Sequence, residues 1–472
     1  MEIPSSWLIF AILVHGILGS STDILSLMVS RLTTPLGHFF NESISLHYDI
    51  DLNEAGISQV ISIMEVPLLA SIISTILLLP KMDNWGRKHV SIYFSGLVSI
   101  VASILVVMSK YVVSLELFAV AKFLMSSFVS QSISALNTLM SLTTFLLSLE
   151  QVFGTDDRWP MIGVISLFMC ILFTIAGSFI PESPKYLSYK DAPKEKVINI
   201  IKTFHGKDAD VEEILTDYSC EFHSTKSSHS SFRELWSDLA LRDSIFLIFI
   251  AGMIHSFSSI QIIVLNNIPL KIRYGFSNSD ALLLDTVLAF FGLPFTLLLP
   301  YLLEKIGRRK LFLLSVSLNI ISCCLMFLTQ ILFYIMGPGT VTMILSVSFS
   351  LANIGAVSLG ASFIGIILIA DLLPATAKAV TTQALLLSTS VVSIGVNFGF
   401  ATFEPIFGAF IYLPFITAQM FFFYYLYRNL PETRGLAVYR NFEQIRSRQN
   451  SCRHSLIEGK SRDGSFLNYG TV

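Results

Sequence analysis

Charge is scarce in this chain. Of its 472 residues 14% are Asp, Glu, Lys or Arg and 53% are hydrophobic, with a mean hydropathy of +0.68. A soluble domain carries about a quarter charged residues, so a water-soluble fold is excluded. Cysteine is scarce as well. Cys170, Cys220, Cys323, Cys324 and Cys452 show neither metal-ligand spacing nor a paired framework. They read as small apolar residues, and no metal site or disulfide scaffold is expected. No Gly-rich phosphate loop, Walker motif, His/Cys cluster or nucleophile elbow occurs, which removes nucleotide-driven pumps and hydrolases. We expect no enzyme and no cofactor. The net charge of −2 says nothing about partners. Gly307-Arg308-Arg309-Lys310 reads as a topogenic turn and not a nucleic-acid patch, so no nucleic-acid partner is expected.

What the chain has in abundance is long apolar runs. A bilayer core takes about 20 apolar residues per helix. Runs of that kind begin near residues 7, 57, 89, 112, 136, 161, 243, 282, 311, 340, 380 and 405, with a broken one near 350–370. The first run carries no basic segment before it and is read as a span. The fold class is therefore all-α: a multi-pass membrane protein of about twelve transmembrane helices, its lateral partner the lipid bilayer. Orientation follows from the 31 Lys and Arg. Twenty-five of them fall on one side of a twelve-span arrangement: in 81–88, 185–242 and 305–310, at Lys378, and from Arg428 onward. That side is expected to be cytoplasmic, with both termini inside, in a plasma membrane. The sequon Asn41-Glu42-Ser43 then lies in the first loop outside, as a glycosylation site.

Two phrases recur between the runs. Asp83-Asn84-Trp85-Gly86-Arg87-Lys88 is echoed 221 residues later by Glu304-Lys305-Ile306-Gly307-Arg308-Arg309. Pro181-Glu182-Ser183-Pro184-Lys185 is echoed by Pro431-Glu432-Thr433-Arg434-Gly435. Such duplication implies two pseudo-symmetric bundles, whose cytoplasmic charges pair in one state and separate in the other. The expected organisation is an N-terminal bundle over 1–183 and a cytoplasmic linker over 184–242. A C-terminal bundle over 243–435 and a disordered tail over 436–472 complete it. Within the linker, 194–202 has apolar residues at helical spacing and is read as an amphipathic helix. The first half is short: Asp83 to Pro181 is 98 residues where Glu304 to Pro431 is 127. The deficit falls in 111–154, which must still cross twice to keep the basic linker inside.

These motifs resemble the major facilitator superfamily, and within it the sugar porter branch with the facilitative glucose transporters. The duplicated acid-x-x-Gly-Arg-basic turn, Pro-Glu-Ser-Pro-Lys and Pro-Glu-Thr-Arg-Gly carry the resemblance. Asp371-Leu372-Leu373-Pro374-Ala375-Thr376-Ala377-Lys378 is similar to the family's Glu…Arg loop after span ten, with Asp for Glu and Lys for Arg. The resemblance implies that Asp83, Gly86, Arg87, Lys88, Glu182, Lys185, Glu304, Gly307, Arg308, Arg309, Asp371, Lys378, Glu432 and Arg434 form the conformational latch. The family's Glu…Arg-Gly loop after span four is absent, near 130–136. In span seven, where the family carries Gln-Gln-x-Ser-Gly-x-Asn, this chain reads His255-Ser256-Phe257-Ser258-Ser259-Ile260-Gln261. Span ten has Gly360-Ala361-Ser362-Phe363-Ile364-Gly365-Ile366 without the family's Pro and Trp. The resemblance thus places Ser258, Gln261 and Ser141 as solute-cavity candidates, poorer in amides than a glucose site. His255, with Ser258 and Ser259 at i+3 and i+4 on one helical face, reads as cavity lining or as a cap on buried water. Gln383 reads as polar glue between helices or as pocket lining.

Charges inside the membrane complete the reading. Asp23 in the first span and Lys122 in the fourth match an acid and a base that proton-coupled members carry, so they form a candidate proton-coupling pair. Two opposite charges in hydrocarbon pair with each other by default. A static structural ion pair is the plainer reading of the same two residues. Glu65 is a second intramembrane acid, and Glu150 and Glu404 are expected near the outer interface with no special role. The implied function is transport of a sugar or other small neutral organic solute by alternating access, as a uniporter or with protons. The alternative is a non-transporting relative, a sensor or scaffold, or a truncated inactive isoform.

Overall fold

The computed structural model describes residues 5–64, 73, 76–77, 85–126, 142–190, 192–206, 210–216, 236, 239–373 and 375–433. Among them the regular structure is helical. In lipid each backbone N–H and C=O must find its partner within the segment, and long apolar runs satisfy this as helices.

In the first half, α1 (Ser6–Leu13) passes through a wider π turn at Val14–Leu18 towards α2 (Ser21–Arg31), and together they form span 1. Then come α3 (Thr33–Tyr48), α4 (Glu54–Met64), α5 (Ser95–Val112, entered through a π stretch at His89–Phe94), α6 (Leu115–Ser126) and α7 (Pro160–Ser178). Two linker helices follow, α8 (Pro184–Tyr189) and α9 (Lys194–His205). On α9, Val197 and Ile201 are buried while Lys194, Glu195 and Lys196 face out. The Ser5 hydroxyl donates to the carbonyls of Thr203 (2.9 Å) and Phe204 (2.8 Å) and accepts the Leu8 N–H (3.2 Å). One side chain thereby caps the start of α1 and ties it to the end of α9.

The second half contains α10 (Leu239–Ser256) and α11 (Ser259–Arg273), the two parts of span 7, then α12 (Asn278–Lys305) and α13 (Arg308–Met336). Span 10 is also in two parts, α14 (Thr340–Ser358) and α15 (Ile364–Leu372). The runs near 340 and 350–370 are thus one interrupted span. Span 11 is α16 (Ala375–Phe407), and span 12 is a 3-10 turn at Gly408–Tyr412 leading into α17 (Leu413–Asn429). Eight helices among the described residues are long and apolar enough to cross a membrane. The run near 57 and those near 112 and 136 continue into 65–84, described only at 73 and 76–77, and into 127–141, outside the described residues, as is Glu65.

Helices meet along faces of small residues, because lipid offers no hydrophobic gain for burying large ones. On α5 the buried face carries Gly96, Ser99, Ala102, Ser103 and Ser109, and α7 answers with Gly163, Ser166, Cys170 and Gly177. Far from the linker, Phe39, Phe40, Phe118 and Trp159 pack edge to face or tilted at centroid separations of 5.3 to 6.2 Å. Large apolar side chains such as Phe168, Phe290, Phe291 and Phe295 are exposed and face the lipid.

Candidate functional site

The duplicated turns build the same clamp twice on the face that carries the linker. Gly86 and Gly307 both have left-handed φ, +96° and +100°. In the first half Glu182 lies over the turn: the Lys88 N–H donates to its carboxylate at 3.1 and 3.2 Å, and the Ser183 N–H at 2.9 Å. The Lys88 ammonium turns away and donates to the Ser178 carbonyl (2.6 Å). In the second half the Arg308 N–H donates to Glu432 Oε1 at 3.0 Å. A carboxylate thus caps the free N–H groups of each following helix, where the helix dipole also favours negative charge. A Cβ on Gly86 would stand 2.8 Å from Glu182 Oε2, and one on Gly307 2.7 Å from Glu432 Oε2. Glycine is required twice over.

The second clamp is the fuller one. The Arg308 guanidinium pairs with Asp371 at the end of α15, and the Thr433 hydroxyl donates to the same Asp371 oxygen (2.9 Å). Arg309 donates to the Tyr427 carbonyl (2.6 Å) and lies over its ring. Helix α13 and spans 10 and 12 are thus joined at this face. The remaining latch candidates are less engaged. Arg87 and Glu304 are exposed, and Lys378 is half-buried on α16. Asp83 and Arg434 lie outside the described residues, as does the side chain of Lys185.

In the membrane interior, span 7 breaks at Phe257-Ser258, and polar groups converge there. Ser258 is buried and donates to the His255 carbonyl (2.6 Å). Ser259 is drawn inward: its N–H donates to Asn319 Oδ1 (3.1 Å), and its hydroxyl lies 2.8 Å from Asn319 Oδ1 and 3.1 Å from Asn353 Oδ1. Asn319 on α13 therefore caps α11 from another helix. Gln261 Nε2 donates to Asn397 Oδ1 on α16 (3.1 Å), and Ser393 donates to Ser256 (3.0 Å). Of the sequence-derived candidates, His255, Ser258, Ser259 and Gln261 gather at this break. Gln383 sits half-buried on α16, and Ser141 lies outside the described residues.

Sequence reasoning missed Asn319, Asn353, Asn397 and Ser393, which make this junction richer in amides than span seven alone suggests. The available signal was the polar stripe at helical spacing, Ser315, Asn319 and Ser322 on one helix and Ser346, Ser350 and Asn353 on the next. It also missed Asp285. Glu404, read as idle, is 9% exposed and pairs with Arg273 while accepting from Gln330 Nε2 (3.2 Å).

Of the candidate proton pair, Lys122 is 3% exposed and its ammonium donates to the Ser26 carbonyl of α2 (2.8 Å). Asp23 lies on α2, its side chain outside the described set. Asn41 lies within α3, with Oδ1 accepting the Leu52 N–H (2.8 Å).

The two halves meet on the face opposite the linker. There α11 packs against α2, and Leu142 and Phe145 pack against Ala289 and Leu293. Leu149 joins Ile268, Ala281 and Leu282, and Asn278 donates to Glu150 (3.2 Å).

Comparison with known proteins follows the same lines. A family model described as "Sugar (and other) transporter" matches residues 129–445. The chain is 22% identical over 273 residues to facilitated glucose transporter member 5 of Bos taurus, covering 52% of this chain and 54% of that protein. It therefore spans about half the length of that relative. To facilitated glucose transporter member 1 of Gallus gallus it is 21% identical over 404 residues, 79% of each. Among solved structures, the proton:xylose symporter XylE bound to 6-bromo-6-deoxy-D-glucose superposes with a TM-score of 0.70 at 15% identity, over 93% of this chain and 99% of that one. That likeness shows the fold, the helical bundle of the major facilitator superfamily. The chain is a multi-pass membrane protein that belongs to the sugar porter branch of that superfamily.

Proposed function

We propose that this chain carries a sugar or another small neutral organic solute across the plasma membrane by alternating access. Its two bundles, 1–183 and 243–435, rock about the junction at the break of span 7. The observation that carries this reading is the clamp repeated at Gly86/Glu182 and Gly307/Glu432 on one face while the halves close on the other. Each clamp fixes helices within its own half, so each half can move as a unit. The linker face is cytoplasmic by the distribution of basic residues, which makes the arrangement described here closed to the outside. Moving a solute then needs two states of similar free energy and a solute that binds both.

Solute selection falls to the junction. Gln261, Asn397, Ser256 and Ser393 supply donors and acceptors, and a buried hydroxyl left without a partner costs about 1–3 kcal/mol. A polyhydroxylated solute fits such a set better than an apolar one. The test is uptake of labelled hexoses, pentoses and polyols into proteoliposomes at pH 5.5 and 7.5. Saturable, competable uptake of at least one is expected. Uptake of none by protein shown to be folded would sink the reading and favour a non-transporting sensor or scaffold.

Coupling to protons is supported by one observation, the burial of the Lys122 ammonium beside α2, the helix that carries Asp23. A buried ammonium calls for a carboxylate, and protonating Asp23 would weaken that hold. Asp23→Asn is expected to abolish acid stimulation of uptake while leaving exchange of solute intact. Unchanged acid stimulation in that variant removes proton coupling through Asp23.

A further inference from the structure

The outer part of span 7, α11, carries Ser259 and Gln261 at the junction and rests against α2 of the other half. It also contains Pro269, which withdraws one backbone donor from the helix interior. A helix so placed and so weakened would be suited to bend by itself. Its far end, however, is fastened twice. Lys271 is fully buried and pairs with Asp285 of α12, itself 4% exposed. The second Asp285 oxygen accepts from Asn267 Nδ2 at 2.6 Å, one turn back on α11. Arg273 pairs with Glu404 of α16, and the same Glu404 oxygen accepts from Gln330 of α13. Tyr274, which ends the helix, donates to Gln330 Oε1 (2.6 Å), and its carbonyl accepts from Thr342 of α14 (3.1 Å).

Lys271 and Arg273 are two residues apart, so they leave the helix about 200° from each other. They tie it on opposite sides to α12 and α16. The Lys271–Asp285 pair is buried, so removing one partner strands the other charge in a medium that cannot solvate it, whereas the Arg273 side chain is 40% exposed.

We infer that Lys271, Asp285, Arg273 and Glu404 are positioning residues that fasten the outer part of span 7 to its own bundle. The face opposite the linker then opens by movement of the whole C-terminal half against α2, not by bending of α11 alone. This rests on the alternating-access reading, but its test needs no solute and stands apart from uptake.

Hydrogen–deuterium exchange of the full chain in nanodiscs reads it directly. In the wild-type protein the amides of 262–268 and 270–273 are expected to exchange within about threefold of those of 284–293. Lys271→Met and Asp285→Asn should each speed exchange in 262–273 by about tenfold or more, with 95–112 of the other half unchanged. The charge-swapped pair, Lys271→Asp with Asp285→Lys, should restore protection. Should the single variants fail to fold, Lys271→Met combined with Asp285→Asn leaves no lone buried charge and is expected to show the same local tenfold rise. Fast exchange of α11 in the wild type, or no local change in the double variant, overturns the proposal. A wild-type chain protected as expected but without uptake would count against the transport reading alone.

Discussion

At Gly307 two demands coincide on one residue. Its backbone, φ +100° and ψ 149°, lies where only glycine is comfortable, and its missing side chain is the space into which the Glu432 carboxylate fits. Holding another residue there costs about 1–3 kcal/mol in backbone strain before any collision is counted. Gly307→Ala is therefore expected to lower the unfolding temperature in detergent by several degrees, as is Gly86→Ala. Glu432→Gln keeps the shape but turns a charge-assisted bond into a neutral one and should cost about 1 kcal/mol. Wild-type melting in Gly307→Ala would mean that the turn is no clamp. This residue was legible in the sequence because a special backbone geometry narrows the choice to glycine, and because the acid recurs with it. The role of the acid was less so. Spacing suggests charge pairing between side chains; Glu182 and Glu432 also accept backbone N–H groups, which leave no mark in composition. Asn319 was not legible either. An amide inside an apolar run carries no motif, and only three-dimensional packing brings it to Ser259.

At the scale of elements the interruptions matter more than the helices. Spans 7 and 10 both break, at Phe257-Ser258 and at 359–363, where Gly360 has φ +89°. The two inner parts cross so closely that a Cβ on Gly365 would stand 3.0 Å from Gly252 Cα and 3.1 Å from its nitrogen. Backbone cannot yield as a flexible side chain can, so Gly365→Ala should destabilise by about 1–3 kcal/mol. Gly395 on α16 supplies the control, since nothing lies within 4 Å of a Cβ there. Gly395→Ala is expected to be neutral or stabilising by up to about 1 kcal/mol. Equal shifts in thermal unfolding for the two variants would show that the crossing does not decide stability. Apolar run length made the helices predictable. The break in span 10 shows in the sequence as the interrupted run near 350–370, which contains Gly360, whereas span 7 gives no such sign, since His255 to Gln261 contains no proline or glycine to announce one.

The whole molecule is two halves that meet on the face opposite the linker; in the proposed transport cycle that meeting changes side, and one pair of residues reports on it. Asn278 and Glu150 belong to different halves and touch at the face opposite the linker, Nδ2 to Oε1 at 3.2 Å. Both are exposed enough to label, and the bond itself contributes little because water competes for it. Cysteines at these two positions, in a background without Cys220, Cys324 and Cys452, should therefore leave uptake near the wild-type rate. Bridging them with a short bis-maleimide holds that face shut. If the solute must pass through it, uptake should fall to background in the bridged protein and remain normal when each cysteine is capped singly. The clamps at Gly86 and Gly307 sharpen the expectation, because each rigid half transmits a restraint at one face to the other. Full uptake through a bridged molecule would mean that the halves need not separate there. The duplicated architecture would then have to serve something other than an alternating passage.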